Sequence, residues 1–332
     1  MSDRRIKWID ALKLFAIFLV LWGHSIQYLS SAPYAENPLF RAIYSFHMPL
    51  FMMLSGFLGG RLLTKDIKEV VRDKGRRLLV PVVSFGMLWG LSDISDATGR
   101  IAGFWIDSLW FLKSAFICMV IFRIVMLPRR HGWLWLLLSV IAVQPIDYCD
   151  LWQMYPCFVT GWILRNYFDS VRPMSGWILS ITAIVFVGML LFFGPEYFSA
   201  GGPGSYIADE IAANMKAVIW ISCYKMIIGI VGAVFFILLF ERCSHLLPAS
   251  PAGDALCRVG TYSLEIYVMQ WFFLERFLAS RLDFGKVCSG PLVFNLIITP
   301  VVSILVLALC LATIFLLKRS RHVGILMFGH AR

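Results

Sequence analysis

The sequence predicts an all-α polytopic membrane protein, a bundle of about ten transmembrane helices with both termini cytoplasmic. Three observations predict it. Of the 332 residues 59% are apolar and only 15% are charged, and the mean hydropathy is +0.77; a soluble domain is about 45–50% apolar and about 25% charged. Windows of about 20 apolar residues, the length that crosses a bilayer, recur down the chain. The Lys and Arg residues collect in alternate connecting segments.

Spans are expected at 8–29, 42–63, 78–91, 104–126, 133–146, 151–168, 176–193, 217–240, 262–279 and 292–317. With the N-terminus inside, the inner segments hold most of the 30 Lys and Arg, including Arg4, Arg5, Lys7, the dense run from Arg61 to Arg77, Arg129, Arg130, Lys318, Arg319 and Arg321. The outer segments hold Arg41, Arg100, Lys216, Arg276, Arg281 and Lys286. This inside-positive bias sets orientation and an even span count. It also accounts for the net charge of +10 without nucleic acid. The first span starts basic, as a signal peptide does, but Asp10, Lys13 and His24 interrupt it, so it reads as a retained helix. No connecting segment reaches about 50 residues, the lower end of domain size. The chain therefore reads as a single membrane domain, 1–332. The longest outer loop, 194–215, carries the irregular "AGGPGS" string. The eight cysteines show no metal-ligand spacing, and Cys149 and Cys288 have nothing beyond their outward placement to argue for a bridge.

Ionisable side chains inside spans are expensive and usually functional. In the first span Lys13 and His24 are eleven residues apart, three helical turns, so they share a face about 16 Å apart along the axis. Asp10 lies one turn from Lys13 and suits an ion pair with it. An interfacial Asp10 and a snorkelling Lys13 explain the same residues without function. His24 lies near the outer end of a span running outward. His47 lies just past the outer start of the next, so the two imidazoles are expected at one depth, in the outer third of the membrane. The "KGRRLLVP" string puts Lys74, Arg76 and Arg77 before the third span, a suitable anion site at a helix start; ordinary inside-positive charge explains it equally well. The ninth span opens with Glu265, Tyr267 and Gln270 on a polar face, and Trp110 stands near the outer end of the fourth. Nothing in the sequence suggests a metal site.

Taken in order, these strings resemble the acyltransferase family 3 membrane proteins, which include fucose 4-O-acetylase-like and polysaccharide O-acetyltransferases. The resemblance rests on Lys13 and His24 eleven apart and on "FHMPLFMMLSGFL" with His47, Pro49, Ser55 and Gly56. The basic run before Pro81, "LWFL" at 109–112 and the late "GTYSLEIY" add to it. Lys13 stands where the family often has Arg, and Gln270 where many relatives have His. The chain ends soon after its last span, as the stand-alone form does. The resemblance implies an integral O-acetyltransferase of the bacterial cytoplasmic (inner) membrane. It would move an acetyl group from cytoplasmic acetyl-CoA to a hydroxyl of a cell-surface or lipid-linked glycan. Its partners would be that saccharide and the bilayer, with no metal and no nucleic acid.

On this reading Lys13, Lys74, Arg76 and Arg77 meet the donor. His24 is the general base, since a neutral imidazole can take the proton of a sugar hydroxyl. His47 positions the acceptor or stabilises charge on the thioester carbonyl. Asp10, Trp110, Glu265, Tyr267 and Gln270 supply substrate or structural polar contacts, with the 201–209 loop helping to shape the acceptor pocket. The competing reading is a proton-coupled transporter or flippase for a glycan or small solute, with His24, His47 and Lys13 as a proton relay. The basic run favours the first, because phosphate needs cations and a relay does not. So does the lack of an internal repeat, since many transporters are built from duplicated halves.

Overall fold

The computed structural model describes residues 6–30, 33–92, 94–127, 132–199, 215–247, 250–278 and 290–330. Every regular element among them is helical. In chain order they are α1 (Lys7–Leu29), α2 (Pro38–Phe57), α3 (Ile67–Leu91), α4 (Ala97–Asp107), α5 (Trp110–Val125), α6 (Gly132–Ala142), α7 (Leu151–Asn166) and α8 (Phe168–Val171). There follow α9 (Ser175–Leu191), α10 (Glu196–Ser199), α11 (Met215–Arg242), α12 (Pro251–Val259), α13 (Ser263–Gln270), α14 (Pro291–Val293), α15 (Thr299–Lys318) and α16 (Arg321–Phe328). Two π-helical stretches, Trp271–Leu278 and Phe294–Ile298, follow α13 and α14.

Four segments among the described residues are long and apolar enough to cross a membrane: Lys7–Leu29, Phe168–Leu191, Lys216–Leu246 and Pro291–Lys318. A fifth qualifies if Ala97–Ile106 and Trp110–Val125, bent by 54°, make one broken span. The bend has a local cause. Leu109 takes a left-handed conformation, φ 50°, which stops α4 before α5 begins. The buried Lys113 ammonium then donates to the carbonyls of Trp105 and Ile106 at the open end of α4. Its charge is met by helix-end carbonyls, which carry the negative end of the helix dipole.

The third span needs correction. The run from Lys74 to Arg77 does not precede a helix; it lies well inside α3. That helix begins at Ile67, because Asp66 and Glu69 form a capping box there. Reciprocal bonds of this kind satisfy the orphan amides of a first turn and set the start.

The fold divides into two compact units. The first comprises Met1–Phe51, Phe168–Ser199 and Ile227–Ile314. Its centre is α1, whose Leu12, Ile17, Val20 and Leu21 are fully buried. Phe46 stacks on Phe236 at 4.5 Å, and Phe15 packs against Phe236 and Phe240. The Trp22 indole N–H donates to Thr299 Oγ1 at 2.9 Å and to the Asn295 carbonyl at 3.1 Å. Ser25 and Ser303 share a hydrogen bond of 3.0 Å. Interhelical polar bonds of this sort hold helices where the surroundings supply no hydrophobic drive.

The second unit comprises Met52–Tyr167, Ala200–Met226 and Phe315–Arg332. Here the end of α2 crosses α7 through two glycines. A methyl on Gly56 would overlap the Phe158 carbonyl, and one on Gly161 would overlap the Met53 carbonyl. Small residues at such crossings let backbones touch. Cys149 is a free thiol; Cys288 and the 201–209 loop lie outside the described residues.

Candidate active site

In the first unit α1 and α2 bring both histidines onto one ring. Tyr44 lies 4.5 Å from His47 and 6.2 Å from His24, centroid to centroid. Tyr44 precedes His47 by three residues and so shares its helix face. Gly23, beside His24, makes the room: a Cβ there would stand 2.5 Å from Tyr44 Cε2. The Tyr44 hydroxyl donates to Gln27 Oε1 at 2.9 Å, which fixes the ring. Tyr28, one turn after His24, stacks on its imidazole at 5.6 Å and 9°.

The two imidazoles differ. His47 is buried, and its Nδ1 lies 2.9 Å from the Ile43 carbonyl. A carbonyl only accepts, so Nδ1 carries the hydrogen and Nε2 carries a lone pair in the neutral ring. His24 is partly exposed, and its Nδ1 has no hydrogen-bond partner within the described residues. Rings continue outward from this pair. Phe40 stacks on Tyr44 at 3.9 Å, and Tyr34 and Phe198 pack on Phe40. The Tyr28 hydroxyl is hydrogen-bonded to Glu275 in the first π-helical stretch; such stretches often mark functional sites.

The other expected residues of this unit take these places. Asp10 is buried and Lys13 half-buried on α1. Glu265, Tyr267 and Gln270 are all buried on α13, and Gln270 Oε1 has no hydrogen-bond partner within the described residues. Sequence reasoning missed Gly23, Gln27, Tyr28, Tyr44 and Glu275. For Tyr28 and Tyr44 the signal was present, since each lies three or four residues from a histidine. Glu275 had none.

The second unit holds the basic residues. Lys74 is half-buried, while Arg76 and Arg77 are exposed. Burial, and then the charges of Arg77, Lys65 and Arg61, push the Lys74 ammonium below the ordinary lysine range; Asp73 pulls the other way. Asp73 is itself engaged: Lys65 Nζ lies 2.6 Å from one oxygen and Arg72 Nε 3.3 Å from the other. Those two cations hold its carboxyl below the usual range. Arg123 Nε donates to the Lys65 carbonyl at 2.8 Å and pins the turn. A half-buried cation among like charges favours an anion alongside it. Arg61, Lys65 and Arg123 were not singled out in the sequence. Trp110, the first residue of α5, packs edge-on against Phe111 at 6.1 Å.

A family model described as an acyltransferase domain matches residues 6–317. The chain belongs to the acyltransferase 3 family. Its relatives include the nodulation protein NolL of Mesorhizobium japonicum, 32% identical over 47% of this chain and 47% of the relative. NolL of Sinorhizobium fredii is 30% identical over 48% of this chain and 49% of the relative. This acyltransferase 3 chain therefore spans about half the length of the curated relatives it matches. No solved structure matches it.

Proposed function

We propose that the protein is a multi-pass O-acetyltransferase of a bacterial cytoplasmic membrane, moving acetyl from cytoplasmic acetyl-CoA to a hydroxyl of a surface or lipid-linked glycan. The ten-span arrangement with both termini cytoplasmic belongs to the same proposal. The observation that carries it is the pair of histidines against Tyr44, found within an acyltransferase 3 chain.

The acceptor hydroxyl is a weak nucleophile until a base takes its proton. His24 suits that role, because its ring is the more open of the two and its buried Nδ1 has no hydrogen-bond partner within the described residues. His47 is limited by its tautomer. With hydrogen on Nδ1, its Nε2 accepts and cannot donate, so it holds the acceptor hydroxyl and does not stabilise a carbonyl oxyanion. The oxygen attacks the thioester carbonyl, the carbon–sulfur bond breaks, and CoA leaves as the thiolate that recovers a proton. Aromatic rings such as Tyr28, Tyr34 and Phe198 suit the apolar faces of a sugar. The donor's phosphates suit the cluster of Lys74, Arg76 and Arg77, with Arg61 and Lys65 beside it. Lys13, half-buried on α1, is assigned to the donor as well.

The test uses purified protein with labelled acetyl-CoA, and mass spectrometry of surface glycans from cells with and without the gene. The expected results are slow acetyl-CoA turnover in vitro and acetylated glycan only where the gene is present. Identical glycans in both strains, with no turnover, would discard the reading.

A further inference from the structure

We propose that α16 completes the acyl-donor site, with Lys318 as the cation that meets the 3′-phosphate of the CoA nucleotide and His330 as the residue that positions it. This rests on the acyl-CoA reading above. The C-terminal segment is fastened onto α3 at the basic run. Phe328 is fully buried, with its ring 6.0 Å from Phe85. The Ser84 hydroxyl donates to the Leu326 carbonyl. Gly329 then turns the chain at φ 72°, and a Cβ there would overlap the Arg76 carbonyl. The backbone is thus seated on the turn of α3 that carries Arg76 and Arg77.

The next residue is His330. Its Nδ1 donates to the Phe328 carbonyl at 2.7 Å, which leaves Nε2 as an acceptor, and Lys318 Nζ lies 3.5 Å from that nitrogen. The same ammonium stands 5.7 Å over the Phe328 ring. A cation is therefore held one residue from where the segment touches Arg76. The docking contact itself is made by Phe328 on Phe85 and by the Ser84 bond to the Leu326 carbonyl. Asp73, the acid beside the run, is engaged by Lys65 and Arg72.

The cations form two groups. Arg61, Lys65 and Arg77 surround the half-buried Lys74, while Lys318 is held by His330, the residue after the Gly329 that is seated on the Arg76 carbonyl. A CoA donor also presents two anionic groups, an internal diphosphate and a 3′-monoester. The denser, more buried group suits the diphosphate. Lys318 suits the monoester, whose terminal oxygens accept charge-assisted bonds. An anionic lipid headgroup offers the same phosphate chemistry, and the experiment separates the two.

Full-length protein in phosphatidylcholine nanodiscs is titrated with CoA and with 3′-dephospho-CoA. Lys318→Ala should weaken CoA binding about tenfold, the scale of one charged hydrogen bond, and change dephospho-CoA binding by no more than about twofold. Lys318→Met, which keeps the alkyl stem on Phe328, should behave the same way, and His330→Ala should move in the same direction. Arg77→Ala should weaken both probes. Equal loss of both probes in the Lys318 variants, or no loss of either, overturns the proposal. So does CoA binding that falls when phosphatidylglycerol is added in wild type but not in Lys318→Ala, which assigns the lysine to lipid. Wild-type protein that binds neither probe removes the acyl-CoA reading and this inference with it.

Discussion

His24 and His47 differ by one hydrogen bond, and that bond decides what each can do. The Ile43 carbonyl fixes the hydrogen of His47 on Nδ1, and no equivalent partner among the described residues engages His24 Nδ1. Losing a general base typically removes about 10²–10⁴-fold of rate. His24→Ala should fall in that range, measured as initial transfer from labelled acetyl-CoA, with membrane insertion intact. His47→Ala should lower the rate as well. The double variant should be little worse than the worse single, because groups acting as one unit give non-additive losses. Full activity in His24→Ala would refute the assignment. Gly23 supports both rings indirectly. Gly23→Ala forces Tyr44 aside and should cost about 1–3 kcal/mol, the usual range for overpacking. The thermal midpoint reads that cost, and a lower kcat should accompany it.

At the scale of the element, α3 carries a half-buried cation among like charges. Lys74 pays a desolvation cost beside Arg77, Lys65 and Arg61. A lysine with a depressed pKa binds fewer protons folded than unfolded, so its penalty is present while it is charged in the unfolded chain and eases as pH rises. Lys74→Met should therefore raise the thermal midpoint of the ligand-free protein and abolish most of the stabilisation that added CoA provides. A midpoint that drops, with the CoA response retained, would make Lys74 an ordinary structural lysine. Asp73 has the opposite sign. Its carboxyl is held low by Lys65 and Arg72, so its tether is present above the ordinary carboxylate range and is lost as pH falls below about 4. Asp73→Asn should flatten that acid limb in a pH series of thermal midpoints.

At the scale of the molecule, orientation is the testable property. On the proposed topology the segment after α2 is cytoplasmic and the segment before it lies outside. Thr64 and Glu36 are exposed on those two segments. In a background with the native cysteines replaced, Glu36→Cys should react with an impermeant maleimide added to spheroplasts, and Thr64→Cys only after permeabilisation. The reverse pattern would invert the topology and remove the basic cluster from the side where acetyl-CoA is made.

The all-helical class, the apolar helices and the two histidines were legible in the amino-acid sequence alone. Each rests on local information: composition, the length of apolar runs, and ionisable residues where hydrocarbon makes them costly. The basic run was legible too, but its setting was not. Its residues read as a helix start, whereas the capping box at Asp66 and Glu69 moves that start upstream, since a cap outranks the onset of hydrophobicity in deciding where a helix begins. Only the tertiary structure decided that Tyr44 joins the histidines, that Arg61 and Lys65 crowd Lys74, that Glu275 reaches Tyr28, and that Gly329 lands on Arg76. These are contacts between residues separated in the chain or on neighbouring helices. They depend on how helices rotate and cross, and that is set by packing and backbone approach, which no periodicity in a single segment encodes.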